Sequence, residues 1–516
     1  MFDKLSRIFA PSLSTPDNPT LTKDAIAEML RINPEALNAF ENAYAKHALE
    51  EEPENFFLVN SRQAANAKHN FSEDPPINSA AMEDIGDLKH RIVNELLAET
   101  AVYTFDGNQV RVEQPKALPD GVGYVQKEDI TKLPIEIRPQ LTANLMKKDI
   151  PESSYPSLLW YYKKAMTAGN PKQRKDAYNR FRQGLDILDL DPVTYEIIGT
   201  NPNSMGHWFP QLASACSKSY FFKIPSTTIV KVPLTLLQLT RLDYSELTQT
   251  TLDIVNEWAG EAFKLQSLKD YFIKTGTYSS KFDFRNCHVH GEKEVQELGE
   301  YLLYIHHQAL QMAGPLCKPC IYGVSTTNEW VVREFIQDKE NDPCIYNGLP
   351  LHTEYRVFVD CDTKEIIGFT PYWEPETMKQ RFGHEEDADS PHQLHDYVIY
   401  SAHEKVLMER YEANIERVLK NVKDILSDIP LTGQWSLDIM QNGEDFWLID
   451  MALAENSAFY ECVPEHLRNP SKENWLPQLP DNSQKQASLG TIIQSAEFRS
   501  AQQSSCSVKS PKDPER

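Results

Sequence analysis

No run in this chain is long and apolar enough to cross a bilayer. The opening MFDKLSRIFAPSLS is amphipathic but lacks the apolar stretch of a secretory leader. A cytoplasmic protein with no membrane partner is therefore expected. Cysteine is scarce, eight scattered among 516 residues, which excludes a disulfide scaffold and suits a reducing compartment. The one CxxC, Cys317 to Cys320, has no second pair to complete a zinc site and reads as two thiols in a turn. Positive charge is in deficit, 52 Lys and Arg against 75 Asp and Glu, a net charge of -23. That field argues against nucleic acid as a partner, although a local basic groove stays open. Glycine-rich phosphate loops are missing too: there is no Walker A sequence and no GxGxxG after a strand. Any nucleotide site must then be built from charges carried on strands.

What is present suggests two or three domains. Residues 1–20 read as a flexible N-terminus. Residues 21–50 read as two short amphipathic helices meeting at Asn33-Pro34, a hairpin suited to docking a protein partner. The polar, proline-bearing 51–85 reads as a linker. Residues 86–194 look mainly helical, with a β-hairpin at AVYTFDGNQVRVEQ turning on Asp106-Gly107. The basic, aromatic stretch 160–182 has the composition of a single-strand nucleic-acid platform, but Leu158, Leu159 and Tyr162 at helical spacing read more simply as a core stripe. From 195 to 466 strands (TYEIIG, SYFFKI, DYFIKT, EWVVREFI, EYRVFVD, EIIGFTPYW, QWSLDIM, FWLIDMA) alternate with helices near 291–313 and 400–427. Residues 467–516 hold too little apolar content to pack and read as a disordered tail.

Four strand-borne charged groups follow in order. Lys274 ends the apolar run of YFIKTGTYSSKFDF, and Thr275–Ser280 follow as a polar loop containing Gly276, Ser279 and Ser280. VVREFI carries Arg333 and Glu334 side by side. TEYRVFV carries Glu354 and Arg356 two apart, hence on one face. WSLDIM and FWLIDM each carry one carboxylate, Asp438 and Asp450. A buried charge without a partner costs several kcal/mol, so these groups must be compensated. Two carboxylates on neighbouring strands suit Mg²⁺, and strand-borne Lys and Arg suit the phosphates such an ion bridges. Interior salt bridges, for example Arg356 with Asp450, are the competing arrangement. The histidines His207, His288, His290, His306 and His307 read as structural.

The order YFIKTGTYSSKFDF, WVVREFI, EYRVFVD with IIGFTPYW, SLDIM and FWLID resembles the ATP-grasp superfamily over about half the chain. The likeness is closest to the branch with the cell-division-cycle-type translation-initiation-factor assembly protein and related predicted ligases. The resemblance implies an α+β, two-subdomain ATP-grasp-like fold, preceded by the helical region and followed by the tail, that holds ATP and Mg²⁺. By position Lys274 would bind phosphate, with Lys223 or Lys231 as a second phosphate lysine and Thr275–Ser280 as a covering loop. Glu334, Phe335 and Ile336 would form the adenine hinge. Arg356, with Arg333 as a weaker candidate, would stabilise the transferring group, with Glu354 beside it. Asp438 and Asp450 would hold the metal. The superfamily's asparagine two residues after the last acid is Ala452 here; Glu455 or Asn456 are the residues placed to restore that ligand. An ATP-dependent ligase acting through an acyl-phosphate on an unknown acceptor is the main expectation, with an ATP-binding assembly factor or an RNA-end ligase as alternatives.

Overall fold

The computed structural model describes residues 79–106, 109–113, 123–141, 201–242, 246–312, 327–382 and 391–469, with isolated positions at 118 and between 161 and 199. The segment 1–20, the 21–50 hairpin, most of 51–85, of the tail and of 160–182, and the Cys317/Cys320 pair lie outside the described residues.

Helices and strands are both present, as an α+β fold requires. One sheet runs in the order β2-β1-β4-β7-β5-β6. Its strands are β1 (Ala101–Asp106), β2 (Gln109–Glu113), β4 (Thr227–Lys231), β5 (Tyr271–Thr275), β6 (His288–Val289) and β7 (Glu329–Glu334). A second runs β11-β10-β12-β13-β3. It contains β3 (Phe222–Lys223), β10 (Glu354–Asp360), β11 (Glu365–Pro371), β12 (Gln434–Asn442) and β13 (Asp445–Leu453). Its neighbours are antiparallel except for β13 and β3. A small hairpin, β8 (Cys344–Ile345) with β9 (Leu349–Pro350), lies on the connection from β7 to β10.

Alternation along each strand decides what faces where. In β10, Tyr355, Val357 and Val359 enter one apolar core, together with Leu437 and Ile439 of β12 and Phe446 and Leu448 of β13. That core also receives α2 (Met205–Cys216) through Trp208, Phe209 and Leu212, and α5 (Pro391–Leu426) through Val418 and Val422. Glu354, Arg356 and Asp438 therefore project from the opposite face. Behind the first sheet, α1 (Ser79–Leu97), α3 (Gln249–Phe263) and α4 (Leu298–Met312) form a second core with Ile273, Trp330 and Val332. In α3 the buried Leu252, Val255, Ala259 and Ala262 make the apolar stripe. Thr248 caps its start by accepting the Thr251 amide. Asn256 of α3 donates to Glu300 and accepts the Glu300 amide, which fixes the start of α4.

Several expectations need correcting. β1 pairs with β4, so the first sheet draws strands from both sides of residue 195, and a domain boundary there has no counterpart. Likewise α1, at Ser79–Leu97, begins inside the expected linker 51–85. The described positions of TYEIIG (Tyr195, Ile198 and Gly199) are helical; β-branched propensity yields to packing, where the Tyr195 hydroxyl donates to the Val232 carbonyl. The helix expected near 291–313 breaks at Glu297 into a turn, Gly291–Gln296, and α4. The helix expected near 400–427 begins earlier, at Pro391.

Helices α3 and α4 touch where Gly299 lies on Val255; a Cβ there would stand 2.6 Å from the Val255 carbonyl oxygen. Gly260, exposed on α3, has open space around the same position. Gly299→Ala is expected to lose about 1–3 kcal/mol, and Gly260→Ala to gain up to about 1 kcal/mol through helix propensity. Urea unfolding followed by circular dichroism checks both, and equal effects would contradict this packing.

Candidate functional site

The strand charges meet on the open face of the second sheet. Arg356 and Asp438 are direct partners across β10 and β12. Nε donates to Oδ1 at 2.8 Å and Nη2 to Oδ2 at 2.6 Å. Both groups are buried, and the remaining Nη1 donates to the Ala458 carbonyl at 3.2 Å. The carboxylate and the hydrogen bonds it accepts hold the Arg356 pKa above its ordinary value against the penalty of burial.

Asp438 also stands directly opposite Asp450 on β13, in a register that slips by one residue beside it. The extra residue is Ile449. Leu448 faces the core before the bulge and Met451 faces it after, so the bulge turns Asp450 onto the outer face. Two carboxylates directly across a strand pair repel. Arg356 compensates one, and Lys274 reaches the other from the first sheet, its Nζ at 3.3 and 3.4 Å from the two Asp450 oxygens. Lys274 is buried whereas the Asp450 side chain is 43% exposed. Burial lowers the Lys274 pKa; Asp450 only partly offsets it, and neighbouring Arg333 adds to the depression.

Arg333 sits in the same layer, its Nε donating to Thr227 Oγ1 at 3.2 Å and its Nη1 to the Ile449 carbonyl. Its Nη2 is buried with no hydrogen-bond partner among the described residues. Burial brings its pKa down to about 10, with Asp450 opposing.

Lys281 was missed by sequence reasoning, although it lies in the same stretch as Lys274. Its Nζ donates to the Tyr372 hydroxyl and lies 4.2 Å from that ring's centroid, while Arg356 lies 4.7 Å from the same ring. Burial opposes its charge, but Tyr372 and Glu354 outweigh it and the pKa rises. Glu354 is buried with Oε2 unpartnered; burial raises its pKa and Lys281 restrains the rise. A lysine flanked by aromatics seven positions after Lys274 was the available signal.

Other expected residues fall elsewhere or act differently. Lys223 is on the edge strand β3 and its Nζ meets Asp445 at 2.6 Å. Lys231 is exposed and pairs in register with Glu329, four residues from the Thr227–Arg333 row, about 13 Å along the strand. The loop after Lys274 is pinned. Thr275 exchanges backbone and hydroxyl bonds with Tyr278. Gly276 donates to the Glu329 carbonyl and accepts the Met205 amide. A Cβ at Gly276 would lie 2.9 Å from Thr327 Oγ1 and from Glu329 Oε2 and closer still to Ser204 Oγ, so this glycine serves close packing. Ser280 is buried, donating to Gln308 at 2.5 Å, and Ser279 is half-buried beside it.

Glu334 ends β7 and is exposed. Its amide donates to the Ser226 carbonyl and that of Phe335 to the Asp270 carbonyl, so neither is open to a base. Phe335 stacks on His288 at 4.1 Å, and half-buried Ile336 follows on the way to the second sheet. Asn456 accepts from Asn203, and Glu455 is exposed on the 3-10 turn that follows β13. Among the described residues no helix is long and apolar enough to cross a membrane.

No protein-family model matches the chain, and neither does any curated protein. Among solved structures it is similar to Cdc123 from Schizosaccharomyces pombe. Identity is 15% over 55% of this chain and 93% of that one, with a TM-score of 0.28. A C-terminally truncated form gives 14% identity, 52% and 93% coverage, and a TM-score of 0.29.

Removing one partner of the Arg356–Asp438 pair leaves a buried charge. Asp438→Ala is expected to lose about 3–5 kcal/mol, and Asp438→Leu combined with Arg356→Met much less than the two single losses together. A double-mutant cycle by denaturant unfolding checks this, and additive losses would refute the pairing.

Proposed function

We propose that this chain binds Mg·ATP in an ATP-grasp-like manner and acts as a nucleotide-binding assembly factor. The triphosphate lies against Lys274, Lys281 and Arg333. The supporting observation is a surplus of buried positive charge in a protein of net charge -23. Four cations, Lys274, Lys281, Arg333 and Arg356, interact with three carboxylates, Glu354, Asp438 and Asp450. Burial lowers the pKa of both Lys274 and Arg333 and Asp450 only partly opposes it, so a further anion beside them would favour their charged forms. Phosphate oxygens supply that anion and accept from Nζ and from the unpartnered Nη2 of Arg333.

Mg²⁺ would supply charge neutralisation beside the triphosphate. Asp450 fits as its protein ligand, because it is partly exposed and held only loosely by Lys274. Asp438 fits poorly, since Arg356 occupies both of its oxygens. Adenine is read near Glu334–Ile336 through groups other than the Glu334 and Phe335 amides. With one carboxylate available and Ala452 in place of an oxygen ligand, binding is better supported than turnover. The assembly role would use a protein partner, for which residues 21–50 are the expected contact. A second reading, an ATP-dependent ligase, is favoured by Arg333 Nη2, a buried donor placed to stabilise a transferring phosphoryl group.

Calorimetric titration of Mg·ATP into the full chain is expected to give a micromolar dissociation constant, about -8 kcal/mol. Lys274→Ala should weaken it more than tenfold. ADP release measured on the same samples separates the readings. Background release supports the binding protein, steady release moves the assignment to a ligase, and no binding by the unaltered chain rejects both.

A further inference from the structure

A separate cluster of polar groups occupies the connection between β7 and β10. Asp338, Asp342 and His352 bring their ligand-type atoms within 4.8 Å of one another. His352 Nδ1 is 3.3 Å from Asp342 Oδ2 and 3.8 Å from Asp338 Oδ1. The His352 side chain is 5% exposed and that of Asp342 1% exposed. Even so, Nδ1 has no hydrogen-bond partner among the described residues. His403 of α5 repeats the pattern, its Nε2 buried without a hydrogen-bond partner and 3.3 Å from Asp342 Oδ1.

We propose that Asp338, Asp342 and His352 bind one divalent transition-metal ion, with His403 beside them and Zn²⁺ as the representative occupant. Two ligands sharing an ion through bonds of ~2.1 Å at tetrahedral angles stand about 3.4 Å apart, close to the observed separations. An imidazole nitrogen close to a carboxylate yet out of hydrogen-bond alignment suits a lone pair directed at a shared cation. Imidazole ligands favour a transition ion over Mg²⁺ or Ca²⁺.

The surroundings support a cation. Glu340 and Asp342 meet one guanidinium, that of Arg410, and Asp338 adds a third carboxylate against His352, so three negative charges and one positive leave minus two before the imidazoles are counted. A divalent ion balances that charge. Arg410 Nη1 donates to both Asp342 oxygens, at 2.9 Å to Oδ1 and 3.2 Å to Oδ2, and Oδ2 also faces His352, so an ion here would share this carboxylate with one guanidinium nitrogen. The turn is already set, since Asp338 Oδ1 accepts the Glu340 amide and Oδ2 the Asp342 amide. A bound ion would tie the connection between the two sheets to α5. This inference is independent of the nucleotide reading.

The test is metal content and binding on the full chain, stripped with a chelator and reloaded with Zn²⁺ or Co²⁺. One ion per chain is expected, raising the melting temperature, with a Co²⁺ visible spectrum showing nitrogen and oxygen ligands. His352→Ala should abolish stoichiometric binding. Asp338→Asn, which alters the most exposed of the three ligands, should weaken it more than tenfold and remains informative if the buried variants fail to fold. Binding should persist in Cys317→Ser/Cys320→Ser and in Asp450→Asn. Loss in the cysteine variant, persistence in both His352→Ala and Asp338→Asn, or no stoichiometric binding at all would each overturn the proposal. In the last case the cluster is a protonated histidine–carboxylate network.

Discussion

The second sheet sets two carboxylates, Asp438 and Asp450, directly opposite each other on adjacent strands, an arrangement that repels unless cations flank it. Arg356 reaches one along the sheet, and Lys274 reaches the other from a different sheet. The two sheets are thus coupled through a charge row as well as through the apolar core holding Ile229, Val331, Leu437 and Phe446. Moving either sheet changes the compensation of Asp450. A polyanion entering the row would compete with Asp450 for Lys274, and a metal ion would compete with Lys274 for Asp450. Occupancy of the row by such an ion and the position of the sheets would therefore be energetically linked.

The bulge at Ile449 makes the row possible. Strict alternation would have carried Asp450 into the core with Phe446 and Leu448, where a carboxylate is costly. One extra residue reverses the parity and presents the Ile449 carbonyl to Arg333. The same feature therefore orients a carboxylate and anchors a guanidinium.

Much of this was legible from charges set into apolar strands. Lys274, Arg333, Arg356, Asp438 and Asp450 all meet, because a buried charge must find a counter-charge and few were available. Which partner each would find was not legible. Arg356 pairs with Asp438 through the β10–β12 register, and Asp450 joins them through a β13 bulge that leaves no local mark in FWLIDM. Gly276 looked like a loop glycine because its neighbours Ser204, Thr327 and Glu329 are remote in sequence. Lys281 escaped notice because its partners Tyr372 and Glu354 lie more than seventy positions away. The Asp338, Asp342 and His352 group was equally hidden, as its irregular connection has no periodicity to read. The hairpin at β1 and β2 was readable from its turn, but its place beside β4 was not.

That placement bears on how the chain is made. The hairpin of β1 and the edge strand β2 waits for β4, and β4 in turn waits for β7, which ends at Glu334. At ~5–20 residues per second the ribosome needs roughly ten to fifty seconds between the end of β1 and that point. Until α3 is complete at Phe263, α1 has no cover for Ile92 and Leu96, and until β4 is complete at Lys231 the hairpin has an open edge. The nascent chain therefore carries a half-built sheet until β7 is made, with the unpaired edge passing from β1 to β4.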